Sequence, residues 1–244
     1  MFLRDCDTIV VTGQTVNCIA RWDLAMDYDQ RQSVVMEKEY NSSFHKLLRM
    51  FTLSILISFL GTLVGTVVPA GLFLPLVVVE FIMLISAFFI RRGKRAIGYT
   101  FVFSFTFISG ITIYPTIAHY ASTGGASLIN TAFILTVVIF GGLSAYAYYS
   151  KKDFSFLGGF LMVGLLTLVG FSLVGMFVGG FGGPMGTMLA AGGVLIFSGF
   201  ILYDISKYRQ GLTNEAIPLA VLNLYLDFIN LFLSLLRLLG ISRD

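Results

Sequence analysis

From residue 46 onward, long apolar stretches alternate with short breaks that are basic or rich in Gly and Pro. A helix needs about 20 apolar residues to cross a bilayer. Seven stretches meet that length: 46–68, 72–90, 96–120, 127–149, 154–178, 185–208 and 217–239. Pro69 and Pro75 bracket the first turn, and Gly124-Gly125 separate the third and fourth stretches. Gly179 to Pro184 separate the fifth and sixth, and Pro218 opens the seventh, where a missing N–H costs nothing. Pro115 is expected to kink the third stretch. Gly61 and Gly65 form a small-xxx-small pair, a common motif and a weak signal for a dimer. The pattern predicts an all-α integral membrane protein with seven transmembrane helices in one domain, 46–241, behind a polar head, 1–45.

Composition agrees. The chain is 57% hydrophobic and 12% charged, where soluble domains run about 25% charged. The charges are concentrated: residues 1–45 hold 11 of the 29 and net −3, whereas the remainder nets +6. The head is too acidic and interrupted for a signal peptide and is expected to be a disordered cytoplasmic tail. A start at Met26 or Met36 is the other reading. Cys6 and Cys18, the two cysteines, both lie in the head, where a pairing is possible but weakly indicated.

Orientation follows from Lys and Arg. Lys46 and Arg49 join the head to the first stretch; Arg91, Arg92, Lys94 and Arg95 follow the second; Lys151 and Lys152 follow the fourth; Lys207 and Arg209 lie at the end of the sixth. The alternate connections, around Pro69, 122–126 and 179–184, have neither residue. The N-terminus is therefore expected in the cytoplasm and, with seven spans, the C-terminus outside. A six-span version with a re-entrant last segment is the alternative.

The last stretch carries Asp227 near its middle, and the preceding one carries Asp204 near its end. A charge at membrane depth costs a few kcal/mol or more, so such residues mark ion or proton pathways. At about 100° per residue, Asn223, Asp227, Asn230 and Ser234 fall in one narrow arc with Arg237 beside it. For Asn230 and Ser234, interhelical hydrogen bonding is the plainer reading. Glu80 and Arg91 share a face of the second stretch. Antiparallel packing of the last two stretches leaves the two aspartates offset by under ~10 Å along the axis, within reach of each other, and Arg91 within reach of Asp204.

Two carboxylates in contact at low dielectric share a proton and titrate as a pair, and a nearby arginine favours the ionised form. Such a cluster is a proton-responsive latch. The same carboxylates are hard oxygen ligands suited to Ca²⁺. A static salt bridge between helices is the alternative. Enzyme chemistry is not indicated: there is no H-E-x-x-H and no Cys/His metal spacing. Ile196-Phe197-Ser198-Gly199 lacks the first Gly of an intramembrane protease motif, and no cofactor motif is visible. His119 reads as an interfacial bystander.

Several stretches together resemble the transmembrane Bax inhibitor motif family, most closely its bacterial YetJ-type pH-sensitive calcium-leak proteins. They are Leu74-Pro75-Leu76 with Glu80, Ala87-Phe88-Phe89-Ile90-Arg91-Arg92, Ser109-Gly110-Ile111-Thr112 and His119-Tyr120-Ala121-Ser122. They continue through Lys151-Lys152-Asp153-Phe154-Ser155-Phe156-Leu157, Ile201-Leu202-Tyr203-Asp204 and Leu224-Tyr225-Leu226-Asp227-Phe228-Ile229-Asn230-Leu231-Phe232, in order, over roughly 46–241. The resemblance implies seven helices with the last one central, and a pH-sensitive Ca²⁺ leak. It implies Asp204 and Asp227 as the proton-sensing pair, Arg91 as the latch of the closed state and Glu80 on the ion path. The head exceeds what such proteins carry.

The expected function is a proton-gated calcium leak channel in a bacterial cytoplasmic membrane. Asp204, Asp227 and Arg91 gate it; Glu80, Asn223 and Asn230 lie on the ion path; Asp204 and Asp227 are the candidate Ca²⁺ ligands. The expected partners are calcium ions and the lipid bilayer, with no nucleic acid and no cofactor, in a monomer with an unassigned membrane protein partner. The alternatives are a non-conducting interaction protein that modulates a protease or cell-death partner, and a proton/calcium exchanger.

Overall fold

The computed structural model describes the backbone of residues 10–11, 14–15, 18–92, 97–150, 152–179 and 181–241; within these, side chains of 10–11, 14–15, 18–26, 29, 32–41, 88, 91–92 and 176–177 are not described. The chain divides into two compact units, Met1–Ser43 and Phe44–Asp244. In the first unit, β1 (Val10–Val11) and β2 (Gln14–Thr15) pair antiparallel, Val10 opposite Thr15. Helix α1 (Cys18–Gly65) begins inside this unit, where a disordered tail was expected. The reason is local: neither Gly nor Pro occurs between Cys18 and Gly61, so nothing breaks the helix once started. An Arg31–Asp27 ion pair at 2.8 Å adds little, because both side chains are exposed. Cys6 and the side chain of Cys18 lie outside the described residues, as does the proposed pairing.

The remaining elements are α2 (Phe73–Arg92), α3 (Tyr99–Tyr149), α4 (Leu157–Val178), α5 (Gly183–Gln210) and α6 (Ile217–Ile241). Short 3₁₀ turns at Ala70–Leu72 and Asn214–Ala216 lead into α2 and α6. Among the described residues, six helices are long and apolar enough to cross a membrane, where seven separate ones were expected. The difference lies in α3, which joins the third and fourth stretches into 51 residues. At 1.5 Å per residue that is about 76 Å, over twice the hydrocarbon thickness. Its one non-helical position is Gly125, at φ 72° and ψ 174°, a conformation that glycine adopts without the Cβ penalty. The backbone stays helical at Pro115, where a kink was expected.

The helices differ in burial. Over its most apolar stretch α6 is 61% buried, against 22% or less for the other five. Its flanks meet different neighbours. Phe228 packs edge-on against Phe51 of α1 and against Phe133 and Phe140 of α3. Tyr225 packs edge-on against Phe105 and hydrogen-bonds the Ser58 hydroxyl at 2.8 Å.

The Gly61–Gly65 pair serves a contact inside the chain, which corrects its reading as a dimer signal. A Cβ on Gly61 would collide with the Phe107 carbonyl of α3, and one on Gly110 with the Ser58 carbonyl of α1. Close backbone approach at small residues is how membrane helices pack without a hydrophobic driving force between them. Thr62 Oγ1 donates to the Gly110 carbonyl at 3.1 Å across the same crossing.

Candidate functional site

A cavity of about 750 Å³ lies between α2, α4, α5 and α6. Along α6 its wall runs from Asn223 to Arg237, about 21 Å of helix at 1.5 Å per residue. Phe81 and Leu84 of α2, Met162 and Leu165 of α4, and Phe197 and Phe200 of α5 supply much of the apolar lining. The polar stripe of α6 faces this space: Asn223, Asp227, Asn230, Ser234 and Arg237 all line it. Asp204, Tyr203 and Lys207 line it from α5.

The two aspartates are each only 6% exposed and are electrostatic neighbours. They arrive from different helices. Asp204 sits in the last two turns of α5, and Asp227 lies ten residues into α6. The Oδ2 atom of Asp227 is buried and has no hydrogen-bond partner among the described residues. A buried carboxylate oxygen normally finds a donor, so this orphan sets Asp227 apart from the other polar groups of α6.

Asn223, Asn230 and Arg237 each donate a described hydrogen bond. Asn223 Nδ2 donates to the Tyr208 hydroxyl at 2.8 Å. Asn230 Nδ2 donates to the Leu226 carbonyl of its own helix at 2.7 Å, an intrahelical bond where an interhelical one was expected. Ser234 packs against the bare backbone of Gly193 on α5. Arg237 Nη2 donates to the Phe181 carbonyl at 3.1 Å, tying α6 to the α4–α5 connection. Lys207 lies over the Tyr203 ring at 5.7 Å, and Arg209 Nη1 donates to the Tyr148 carbonyl at 3.1 Å.

Glu80 is elsewhere. It accepts a 2.7 Å hydrogen bond from Thr112 Oγ1 of α3 and is not among the residues lining the cavity. Its neighbours are those of Tyr225, with Ser58 and Ser109 nearby. The structure thus brings Asp204, Asp227, Asn223 and Asn230 together and sets Glu80 in a second polar cluster. The Arg91 side chain lies outside the described residues, so its predicted contact with Asp204 does too; the backbone of α2 extends to Arg92.

Two carboxylates do not make a resident Ca²⁺ site, which takes six to eight oxygens. Among the described residues no three His, Cys, Asp or Glu side chains converge.

The family model described as Inhibitor of apoptosis-promoting Bax1 matches residues 40–244. The chain belongs to the Bax inhibitor family. The match takes in every cavity residue named above and leaves out most of the first unit. An "Uncharacterized protein" of Helicobacter pylori is 32% identical over 216 residues, 87% of this chain and 92% of its own. "Bax inhibitor 1" of Schizosaccharomyces pombe is 38% identical over 148 residues, 60% of this chain and 53% of its own. The "Golgi anti-apoptotic protein" of vaccinia virus is 37% identical over 159 residues, 65% of each.

Two polar members of this Bax inhibitor family bundle, Tyr208 and Tyr225, were not singled out from the sequence. A signal was present for the first: Tyr208 follows Asp204 by four residues and so shares its helix face.

Proposed function

We propose that this membrane protein is a pH-sensitive calcium leak channel, with Asp204 and Asp227 as its proton-responsive element. One observation carries the reading: two buried carboxylates, one with an orphan oxygen, face a cavity on the most buried helix. In a low-dielectric site such a pair exchanges a shared proton with its surroundings and changes charge as it does so. Protonated, the pair is a neutral obstacle; ionised, it attracts a divalent cation. Arg91 is the proposed latch. It follows the cavity residue Leu84 by seven residues on the same helix, two turns.

The proposed setting is the cytoplasmic membrane of a bacterium, with seven passes, the N-terminus inside and the C-terminus outside. The Gly125 break supports counting α3 as two passes, and the alternation of basic connections supports the orientation. Reporters fused after Asp244 and within 211–213 should lie on opposite sides; finding both on one side overturns the seven-pass arrangement.

A second reading, a non-conducting membrane protein that modulates a cell-death or stress partner, is favoured by the names of the yeast and viral relatives. The deciding experiment is Ca²⁺ flux into liposomes containing only the purified chain, across a series of pH values. Flux that responds to pH without a partner supports the channel. No flux at any pH supports the interaction protein, and strict dependence on an opposing proton gradient supports an exchanger.

A further inference from the structure

α5 and α6 are antiparallel neighbours joined by a short connection, and each carries two polar residues four apart on one face. On α5 these are Asp204 and Tyr208; on α6 they are Asn223 and Asp227. Four residues make just over one helical turn, so in the antiparallel pair the residues meet as two rungs. One rung is Asp204 with Asp227. The other, about one turn closer to the connection, is Tyr208 with Asn223, a 2.8 Å hydrogen bond. We propose that this neutral rung positions the acidic one: Tyr208 and Asn223 hold the two helices in register and aim the tyrosine proton at Asp204.

The direction follows from counting donors. A tyrosine hydroxyl has one proton, and an amide nitrogen only donates. Asn223 Nδ2 gives its proton to the Tyr208 oxygen, so the hydroxyl proton must be given elsewhere. Asp204, one turn back on the same helix, is the acidic neighbour that this hydroxyl proton can be turned toward. Tyr208 is buried at 6% exposure, which keeps water from competing for the proton.

Among the described residues, Tyr203 of α5 is one titratable group lining the cavity beside the rung. Asp204 and the more exposed Lys207 come from α5, and Asp227 comes from α6. The side chains of Arg91 and Arg92, at the end of α2, are outside the described residues. Tyr208 touches no transported ion in this scheme; it acts through Asp204 and is a positioning residue. The proposal rests on the reading of the aspartates as a titrating pair.

The test uses the full chain in two preparations. In liposomes, with Ca²⁺ as the probe, flux is followed against pH. In detergent, thermal melting is followed by circular dichroism over the same pH series, which reads titration of the pair without needing flux. Tyr208→Phe keeps the ring and removes the proton. A carboxylate that loses a donor to its ionised form keeps its own proton to higher pH, so both midpoints should move up by about one pH unit. Asn223→Leu should move them in the same direction, and the double variant no further than the larger single shift. If Tyr208→Phe lowers the melting temperature equally at every pH, or leaves both midpoints where they were, the rung is packing only and the proposal fails. It fails too if the two single shifts add. A wild-type chain with no flux but a melting midpoint that Tyr208→Phe displaces would overturn the channel and keep the rung.

Discussion

One face of α6 carries Tyr225, Phe228 and Phe232; the face roughly 180° round carries Asn223, Asp227, Asn230, Ser234 and Arg237. The aromatic face meets rings of α1 and α3, and its hydroxyl is matched by Ser58. The polar face borders a cavity and holds a carboxylate oxygen with no described partner. Both faces are polar enough to matter, yet only one is left unfinished. Where hydrogen bonds close on themselves, a buried polar group stiffens the bundle. Where one stays open, the site keeps the capacity to take up a proton or a cation. The same helix therefore presents a satisfied wall on one side and, in the proposed channel, the responsive surface on the other.

The sharpest way to break the comparison is to attack the wall. Gly110→Val should drive its new side chain into the Ser58 carbonyl and separate α1 from α3. Overpacking of this kind costs about 3 kcal/mol or more when backbone blocks it. Gly141→Ala, where a Cβ meets open space, is the control and should melt like wild type. Equal melting temperatures for the two variants would show that the α1–α3 crossing is not tight.

Next comes the responsive face. Asp227→Asn should remove the response of Ca²⁺ flux to pH while preserving the fold. Stability at neutral pH should rise by about 1 kcal/mol, because a buried carboxylate without a partner is costly. A variant that keeps the wild-type flux–pH curve would separate Asp227 from any sensing role.

On the aromatic face, Tyr225→Phe should leave the Ser58 hydroxyl without its tyrosine partner and cost about 1–2 kcal/mol in thermal melting. It should leave the pH midpoint of flux alone. A displaced midpoint would mean that the two faces communicate through α6.

The smallest effect belongs outside the spans. Asp153, exposed ahead of α4, accepts a 2.9 Å hydrogen bond from the Ser155 backbone N–H, and that bond holds its carboxyl below the ordinary range. A depressed acid stabilises the fold above its unfolded value and loses that contribution as pH falls through its folded value. Asp153→Ala should thus match wild type in strong acid and melt only slightly lower at neutral pH. A difference that persists unchanged into strong acid would assign the effect to something other than this charge.

Much of this was readable from residues alone, for physical reasons. The breaks at Pro69, Gly125, Gly179 and Gly211 coincide with turns or non-helical backbone, because Gly and Pro act locally. The α6 stripe was visible because a 3.6-residue period sorts side chains onto faces regardless of the neighbours. Three things were not visible. The helical run from Cys18 was hidden by its acidic composition, although it lacks helix breakers. The use of Gly61 inside the chain depends on which helix lies opposite, which spacing does not encode. Glu80 and Arg91 share a face in sequence terms, but Thr112 on a different helix claims Glu80.

The most buried helix comes last of the helices, after those it packs against. During synthesis, α1, α3 and α5 emerge before the segment that packs against them. Until α6 arrives, Ser58 has no tyrosine to meet and the stacked rings of Phe51 and Phe140 have no Phe228 edge against them. The early bundle must stay loose, with lipid or the insertion machinery filling its middle. Maturation then amounts to a late lateral entry, and a chain stopped short of α6 would present a ready substrate to membrane quality control.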